Sequence, residues 1–194
     1  MIQRVYSLFQ KSVEAKMQVG EELAPLIAQA SEKIVQALLQ DKKILLCGNG
    51  ISAAVAQIFT SALLDRFEKE RPSLPAVWLG STMPTYTAIA ADYNYNEVFA
   101  KPVRALAQEG DILIPISTSG NTANLVQAAV AAHDRGASVV SLTGREGGDI
   151  SSMMDTNDIE ICAALNSRGR IHEVHLLCVF CLCDLIDHQL FGIE

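Results

Sequence analysis

Aromatic side chains are scarce in this 194-residue chain: Phe, Tyr and Trp together make up 6%, with a single Trp. The 49% of hydrophobic residues must therefore build an aliphatic core, and this length supports one sizeable core rather than two. We expect a single domain over 1–194, with a helical arm at 1–39 and an α/β core at 40–194. Clustered basic charge is also lacking. Lys and Arg number 15 against 22 Asp and Glu, for a net charge of −7 and a pI near 5.1. The densest basic stretch, Arg168 to Arg170, is short. Direct binding to nucleic acid is not expected, because phosphate contacts need grouped cations. No apolar run reads as long enough for a membrane span, and the N-terminus is mixed polar rather than signal-like, which predicts a cytoplasmic protein without membrane contact. The five cysteines are an odd number. Cys178 and Cys181 form a CxxC without a preceding turn or a second pair, so buried thiols in a reducing compartment are expected.

What is present is alternation. Residues 1–39 carry only Gly20 and Pro25 as punctuation and read as helices. Val5, Phe9, Val13 and Met17 form one apolar stripe, and Ile27, Ile34, Ala37 and Leu38 a second. Such an arm packs either on a partner subunit or on its own sheet. Beyond it, strands are predicted at Lys43–Cys47, Ala76–Leu79, Asp111–Ile116, Ser138–Leu142 and Ile159–Cys162. Helices are predicted at Ser52–Leu64, Thr85–Ala91, Val98–Leu106, Thr122–Arg135 and Arg170–Phe191. Strands apolar on both faces, alternating with helices, predict a parallel sheet between two helical layers.

In such a sheet ligands bind beyond the carboxyl ends of the strands. Two strand ends stand out. Cys47-Gly48-Asn49-Gly50-Ile51-Ser52 is a tight turn into a helix, whose N-terminus favours anions; a plain turn capped by Ser52 is the alternative. Its loose match to a dinucleotide fingerprint fails, because Leu79-Gly80 offers no acid for a ribose. Ser117-Thr118-Ser119-Gly120-Asn121-Thr122 places four hydroxyls and an amide between a buried strand and a helix. A cap needs one such residue; several predict phosphate binding by hydrogen bonds. Thr143 to Gly148 reads as a flexible loop on the same edge.

Cys47-Gly48-Asn49-Gly50, Ile116 to Asn121, Leu142-Thr143-Gly144 and Arg170-Ile171-x-Glu173-x-His175 occur in this order, and with them the chain resembles a sugar isomerase (SIS) domain over nearly its whole length. The resemblance implies a three-layer αβα sandwich around a flavodoxin-like, parallel five-stranded sheet with extra N-terminal helices. Two branches are similar: the phosphoheptose isomerases and the DnaA initiator-associating proteins (DiaA), both homotetrameric. The resemblance implies that Ser117, Thr118, Ser119 and Thr122 hold phosphate, that Asn49, Ser52 and Asp92 face the sugar, and that Gly50 belongs to the same phosphosugar site.

Aldose–ketose isomerisation needs a base and a second acid or metal. The resemblance implies that isomerases set a His and a Glu on the helix after the first loop, and a Gln and a His on the last helix, and that these also hold zinc. Here those positions are Ile58, Ala62, His172 and Phe180, and a substrate-facing Asp becomes Gly169. His172 and Glu173 are the residual acid–base candidates. His175 reads as a core histidine; His133 and His188 read as solvated. On this basis the expectation is a DiaA-like adaptor without isomerase catalysis. It would bind a phosphosugar and the replication initiator DnaA, the latter through Leu190 and Phe191, and need no cofactor. The segments Arg66 to Pro75 and Cys181 to Asp187 favour the same branch. The alternative is a sedoheptulose 7-phosphate isomerase, in which case zinc is implied.

Overall fold

The computed structural model describes residues 1–192. Five strands form one parallel sheet: β1 (Ile44–Gly48), β2 (Ala76–Trp78), β3 (Ile112–Ile116), β4 (Ser138–Gly144) and β5 (Ile159–Ala163). Their order is β2-β1-β3-β4-β5, with Ile44 beside Ala76 on one side and Ile112 on the other. The expected fold is therefore observed. Seven helices connect and flank the strands: α1 (Ile2–Leu39), α2 (Ile51–Leu64), α3 (Met83–Asp92), α4 (Glu97–Leu106), α5 (Ala123–Asp134), α6 (Gly148–Met153) and α7 (Arg168–Phe191).

Strand periodicity sorts the core into two layers. Ile44 and Leu46 of β1, with Ile112, Ile114 and Ile116 of β3, face α1, α2 and α7. Leu45, Cys47, Leu113 and Val139 face α3, α4, α5 and α6. Successive side chains on a strand point to opposite faces, so a strand buried on both must be apolar throughout.

Three features differ from expectation. The N-terminal helices are one continuous 38-residue helix that carries Pro25 inside it. Its second stripe is buried at Ile27, Ile34 and Ala37, but the first does not reach the core: Val5, Phe9, Val13 and Met17 are 51–73% exposed. The loop after β4 contains the short helix α6, which lacks the apolar period that would reveal it in sequence. Finally, α7 is long and apolar enough to cross a membrane by length and composition, with mean hydropathy 1.6. That character has a packing cause here, because Ile171, Val174, Cys178, Val179, Leu182, Cys183 and Ile186 are all buried in the α1–α2–α7 layer.

The thiols follow the expectation of burial in part. Cys47, Cys178 and Cys183 are buried, while Cys162 and Cys181 are partly so; all five are free. Burial pushes Cys178 and Cys183 up to about 12, so neither is a reactive thiolate.

Candidate functional site

The sheet has its topological switch between β1 and β3, because the chain runs outward from β1 to β2 and then in the other direction through β3, β4 and β5. The loops leaving β1 and β3 therefore flank one crevice. They are the glycine turn and the serine-rich segment.

A small cavity of about 80 Å³ lies there, lined by Asn49, Ser52, Ser117, Thr118, Thr122 and Arg168, among others. Five of the eight residues expected to hold a phosphosugar thus converge. Thr122 occupies the N-cap position of α5 without a side-chain capping bond, so its hydroxyl and the first N–H groups of the helix are both left to a ligand. Ser117 Oγ accepts hydrogen bonds from the Gly120 N–H (3.0 Å) and Ser119 N–H (3.4 Å), which shapes the loop and leaves its own O–H to donate. Asn121 turns away, its Oδ1 accepting from the Asp149 N–H at the start of α6 (2.8 Å). Ser119 accepts from the Asn121 N–H and does not line the cavity. Gly50, at φ +57°, opens α2 and lines a second cavity of about 260 Å³, which shares Asn49 with the first. Asp92 is exposed at the end of α3 and lines neither cavity.

Arg168 was missed as a site residue by sequence reasoning. The segment 117–122 contains no Lys or Arg, which led to an expectation of binding by hydrogen bonds alone. The fold carries the first residue of α7 across to that loop and supplies the cation. Sequence holds only a faint sign of this, a basic residue directly after the Ser167 cap.

His172 lies one turn beyond Arg168. It is 8% exposed, and neither ring nitrogen has a hydrogen-bond partner among the described residues. Burial first, and the charge of Arg168 second, lower it below the ordinary histidine value, so it is the neutral base at pH 7. Glu173 is committed elsewhere: it accepts from Ser12 Oγ (2.6 Å) and Arg170 Nη1 (2.8 Å), tying α7 to α1. Ile58 and Phe180 are partly exposed at 40% and 38%, and α2 carries no titratable side chain.

His175 is the core histidine expected. It is fully buried, and its Nε2–H donates to the Thr143 carbonyl at 2.6 Å. Burial pushes it down to about 4. An unfolded chain binds a proton at this histidine below about pH 6.5, while the native state does not until about pH 4. The native state is therefore favoured above that window and loses about 3 kcal/mol of stability as the pH falls through it. Urea unfolding at pH 7 and pH 4.5 checks this, and the His175→Phe variant should show a smaller difference between the two.

His133 is not simply solvated. Its Nε2 is 2.8 Å from Asp158 Oδ2, and Asp158 also accepts from the N–H groups of Val139 (2.7 Å) and Asp155 (3.0 Å). Ligand atoms of His133, Asp155 and Asp158 lie within 4.8 Å of one another. This clasp sits at the amino-terminal edge of the sheet, opposite the cavities. His188 is exposed, as expected, and takes part in an interaction.

The C-terminal features that suggested an adaptor have structural roles. Leu190 and Phe191 are half-buried against the α1–α2–α7 core. Arg71 and Asp187, one from each of the two segments that favoured that branch, form a buried ion pair at 3.0 Å.

Comparison with known proteins agrees with this geometry. The SIS domain family model matches residues 8–144. The phosphoheptose isomerase of Chromohalobacter salexigens is 56% identical over 97% of this chain and 96% of its own length. That of Thiobacillus denitrificans is 49% identical over 98% and 97%. The solved structure of the Francisella tularensis phosphoheptose isomerase superposes with a TM-score of 0.93 at 43% identity, covering 96% of this chain and 98% of that one. These likenesses overturn the expectation of a non-catalytic, DnaA-binding adaptor, because the relatives similar along the whole chain are enzymes. Ile58, Ala62, Gly169 and Phe180 carry no donor where the family resemblance implies one, while Ser117, Thr118 and Thr122 share one cavity and His172 has no hydrogen-bond partner at its ring nitrogens among the described residues. With the serine loop, the switch-point crevice and full-length likeness in agreement, the chain belongs to the SIS-domain family, among the phosphoheptose isomerases.

Proposed function

We propose that this chain isomerises a seven-carbon sugar phosphate, converting sedoheptulose 7-phosphate to D-glycero-D-manno-heptose 7-phosphate. The observation that carries the reading is the convergence of Ser117, Thr118, Thr122 and Arg168 on one small cavity at the switch point, in a chain so similar to isomerases. The phosphate would take hydrogen bonds from these hydroxyls and the α5 N-terminus, with Arg168 supplying the charge. The polyol would extend past Asn49, Gly50 and Ser52 into the second cavity.

The chemistry requires a base to take a proton from C1 of the ketose while the C2 carbonyl oxygen is protonated. The enediol then gives up its O1 proton and gains one at C2. Within this chain His172, one turn beyond the cavity-lining Arg168 and itself lining neither cavity, is the candidate proton carrier, since it is neutral and neither ring nitrogen has a partner among the described residues. The family resemblance implies zinc, but Ile58, Ala62 and Phe180 offer no donor atom and His172 alone cannot hold the ion. The donor set does not fit zinc, and no step is routed through it.

Self-association is part of the reading. The exposed stripe of Val5, Phe9, Val13 and Met17 supports burial against another copy, and the family resemblance suggests a homotetramer. The free thiols suit the cytoplasm.

Incubation of the purified protein with sedoheptulose 7-phosphate, with and without zinc, tests the proposal. Heptose formation at about 1 s⁻¹ or faster is expected in both arms; no turnover in either arm would sink it. Arg168→Gln should raise KM about tenfold or more, and His172→Gln should lower kcat about a hundredfold.

A further inference from the structure

Along the wall of the second cavity, which Tyr86 and Tyr95 line, a chain of hydrogen bonds that the reading above does not use runs to the junction with the first. Tyr86 of α3 donates its O–H to the Tyr95 hydroxyl at 2.9 Å. Tyr95, just before α4, donates to Asn49 Oδ1 at 2.9 Å. Asn124, 1% exposed in the first turn of α5, exchanges both amide bonds with Asn49: its Nδ2 donates to Asn49 Oδ1 (3.0 Å), and Asn49 Nδ2 donates to its Oδ1 (2.9 Å).

Counting donors and acceptors decides what Asn49 presents. An amide oxygen has two lone pairs and an amide nitrogen two hydrogens. Tyr95 and Asn124 fill both lone pairs of Asn49 Oδ1, and Asn124 takes one of the two hydrogens. One Nδ2–H is left over, on a side chain that lines both cavities. Without Tyr95 the amide would have one fewer reason to keep its oxygen turned away. Tyr86 holds Tyr95 in place, both through the hydroxyl bond and through an edge-on ring contact with centroids 6.1 Å apart. Burial and the bond to Tyr95 push the Tyr86 phenol above its ordinary value, so it stays a donor.

We infer that Tyr86 and Tyr95 are positioning residues that lock the Asn49 side chain with one N–H aimed at the junction of the cavities, and that this lock selects a sugar phosphate over bare phosphate. The group met at the junction must be an acceptor: a carbonyl, hydroxyl or ester oxygen next to the phosphate-bearing end. Inorganic phosphate, seated in the smaller cavity, gains nothing from it. This deepens the isomerase reading and rests on its placement of the phosphate.

Calorimetric titration of the full chain with sedoheptulose 7-phosphate and, separately, with inorganic phosphate tests the lock. Tyr95→Phe keeps the ring and removes the hydroxyl. It should bind the sugar phosphate about five- to tenfold more weakly, with the affinity for inorganic phosphate changed by less than about twofold, as expected for one lost hydrogen bond to an ordered amide. In turnover, KM should rise with kcat unchanged, the mark of binding lost equally in ground and transition states. Tyr86→Phe, which leaves Tyr95 in place, should give a smaller shift in the same direction, about twofold. Equal weakening toward both ligands, or none toward either, overturns the inference; so does a wild type that binds the sugar phosphate no tighter than phosphate. If the wild type binds the sugar phosphate without turning it over, the isomerase reading fails, and the split in affinities alone still decides for or against the lock.

Discussion

Gly120→Ala is expected to lower the melting temperature by about 10 °C and to abolish phosphate binding, since both effects come from one contact. Gly120 sits at φ +68°, a conformation that costs an L side chain about 1 kcal/mol or more. Its α-carbon also rests against the backbone of the loop after β4, and a methyl group there would run into the Gly147 carbonyl. Backbone cannot step aside as a flexible side chain can. The two loops are sewn together on either side of this point: the Ile150 N–H donates to the Gly120 carbonyl at 3.0 Å, and the Asp149 N–H donates to Asn121 Oδ1 at 2.8 Å. Prying them apart adds an overpacking cost of about 1–3 kcal/mol and moves Ser117 and Thr118 out of register with Arg168. Differential scanning calorimetry and titration with inorganic phosphate read the two effects. A variant that melts within about 2 °C of the wild type would show that the loops can separate cheaply.

Arg71→Ala should be comparably severe, by about 3–5 kcal/mol in urea unfolding. The Arg71 side chain is 2% exposed and holds two kinds of partner. Its Nε bonds Asp187 Oδ1 at 3.0 Å, and its Nη atoms donate to the Ala62 and Leu63 carbonyls, each at 2.6 Å. These are the last carbonyls of α2, which have no partner within the helix. Truncation leaves the Ala62 carbonyl unbonded and the Leu63 carbonyl with the Leu74 N–H alone (2.9 Å), and strands the Asp187 carboxylate, 4% exposed, on α7. Leaving one charge of a buried pair alone costs more than losing the pair. Adding Asp187→Leu to Arg71→Ala should therefore recover part of the loss, and a double-mutant cycle measures how much.

The same pair shows where reading the sequence went astray. Arg71 and Asp187 lie in segments taken as signs of an adaptor, together with Leu190 and Phe191. Resemblance at a position does not say whether the residue faces a partner or its own core. Here Arg71 and Asp187 serve the α2–α7 junction, and Leu190 and Phe191 pack on the α1–α2–α7 core. The emptied acid–base positions misled in another way. Ile58, Ala62 and Phe180 are visible in sequence as missing donors, but a buried His172 whose ring nitrogens have no partner among the described residues is visible only in three dimensions.

The serine-rich segment, the glycine turn, the parallel sheet and nearly every element were legible in the chain, because each is a local or periodic property. Apolar runs mark strands buried on both faces, a period near four marks the helices, and hydroxyls in excess of capping carry the expectation of an anion loop. Helix α6 escaped because six residues are too few to show a period. Tertiary structure alone decided that Arg168 lines one cavity with Thr118, fifty positions away, that Tyr95 reaches Asn49, and that the first stripe of α1 stays uncovered while the second is buried. Spacing along a chain governs which residues share a face. Which faces then meet depends on how the sheet closes on its helices, and no local pattern encodes that.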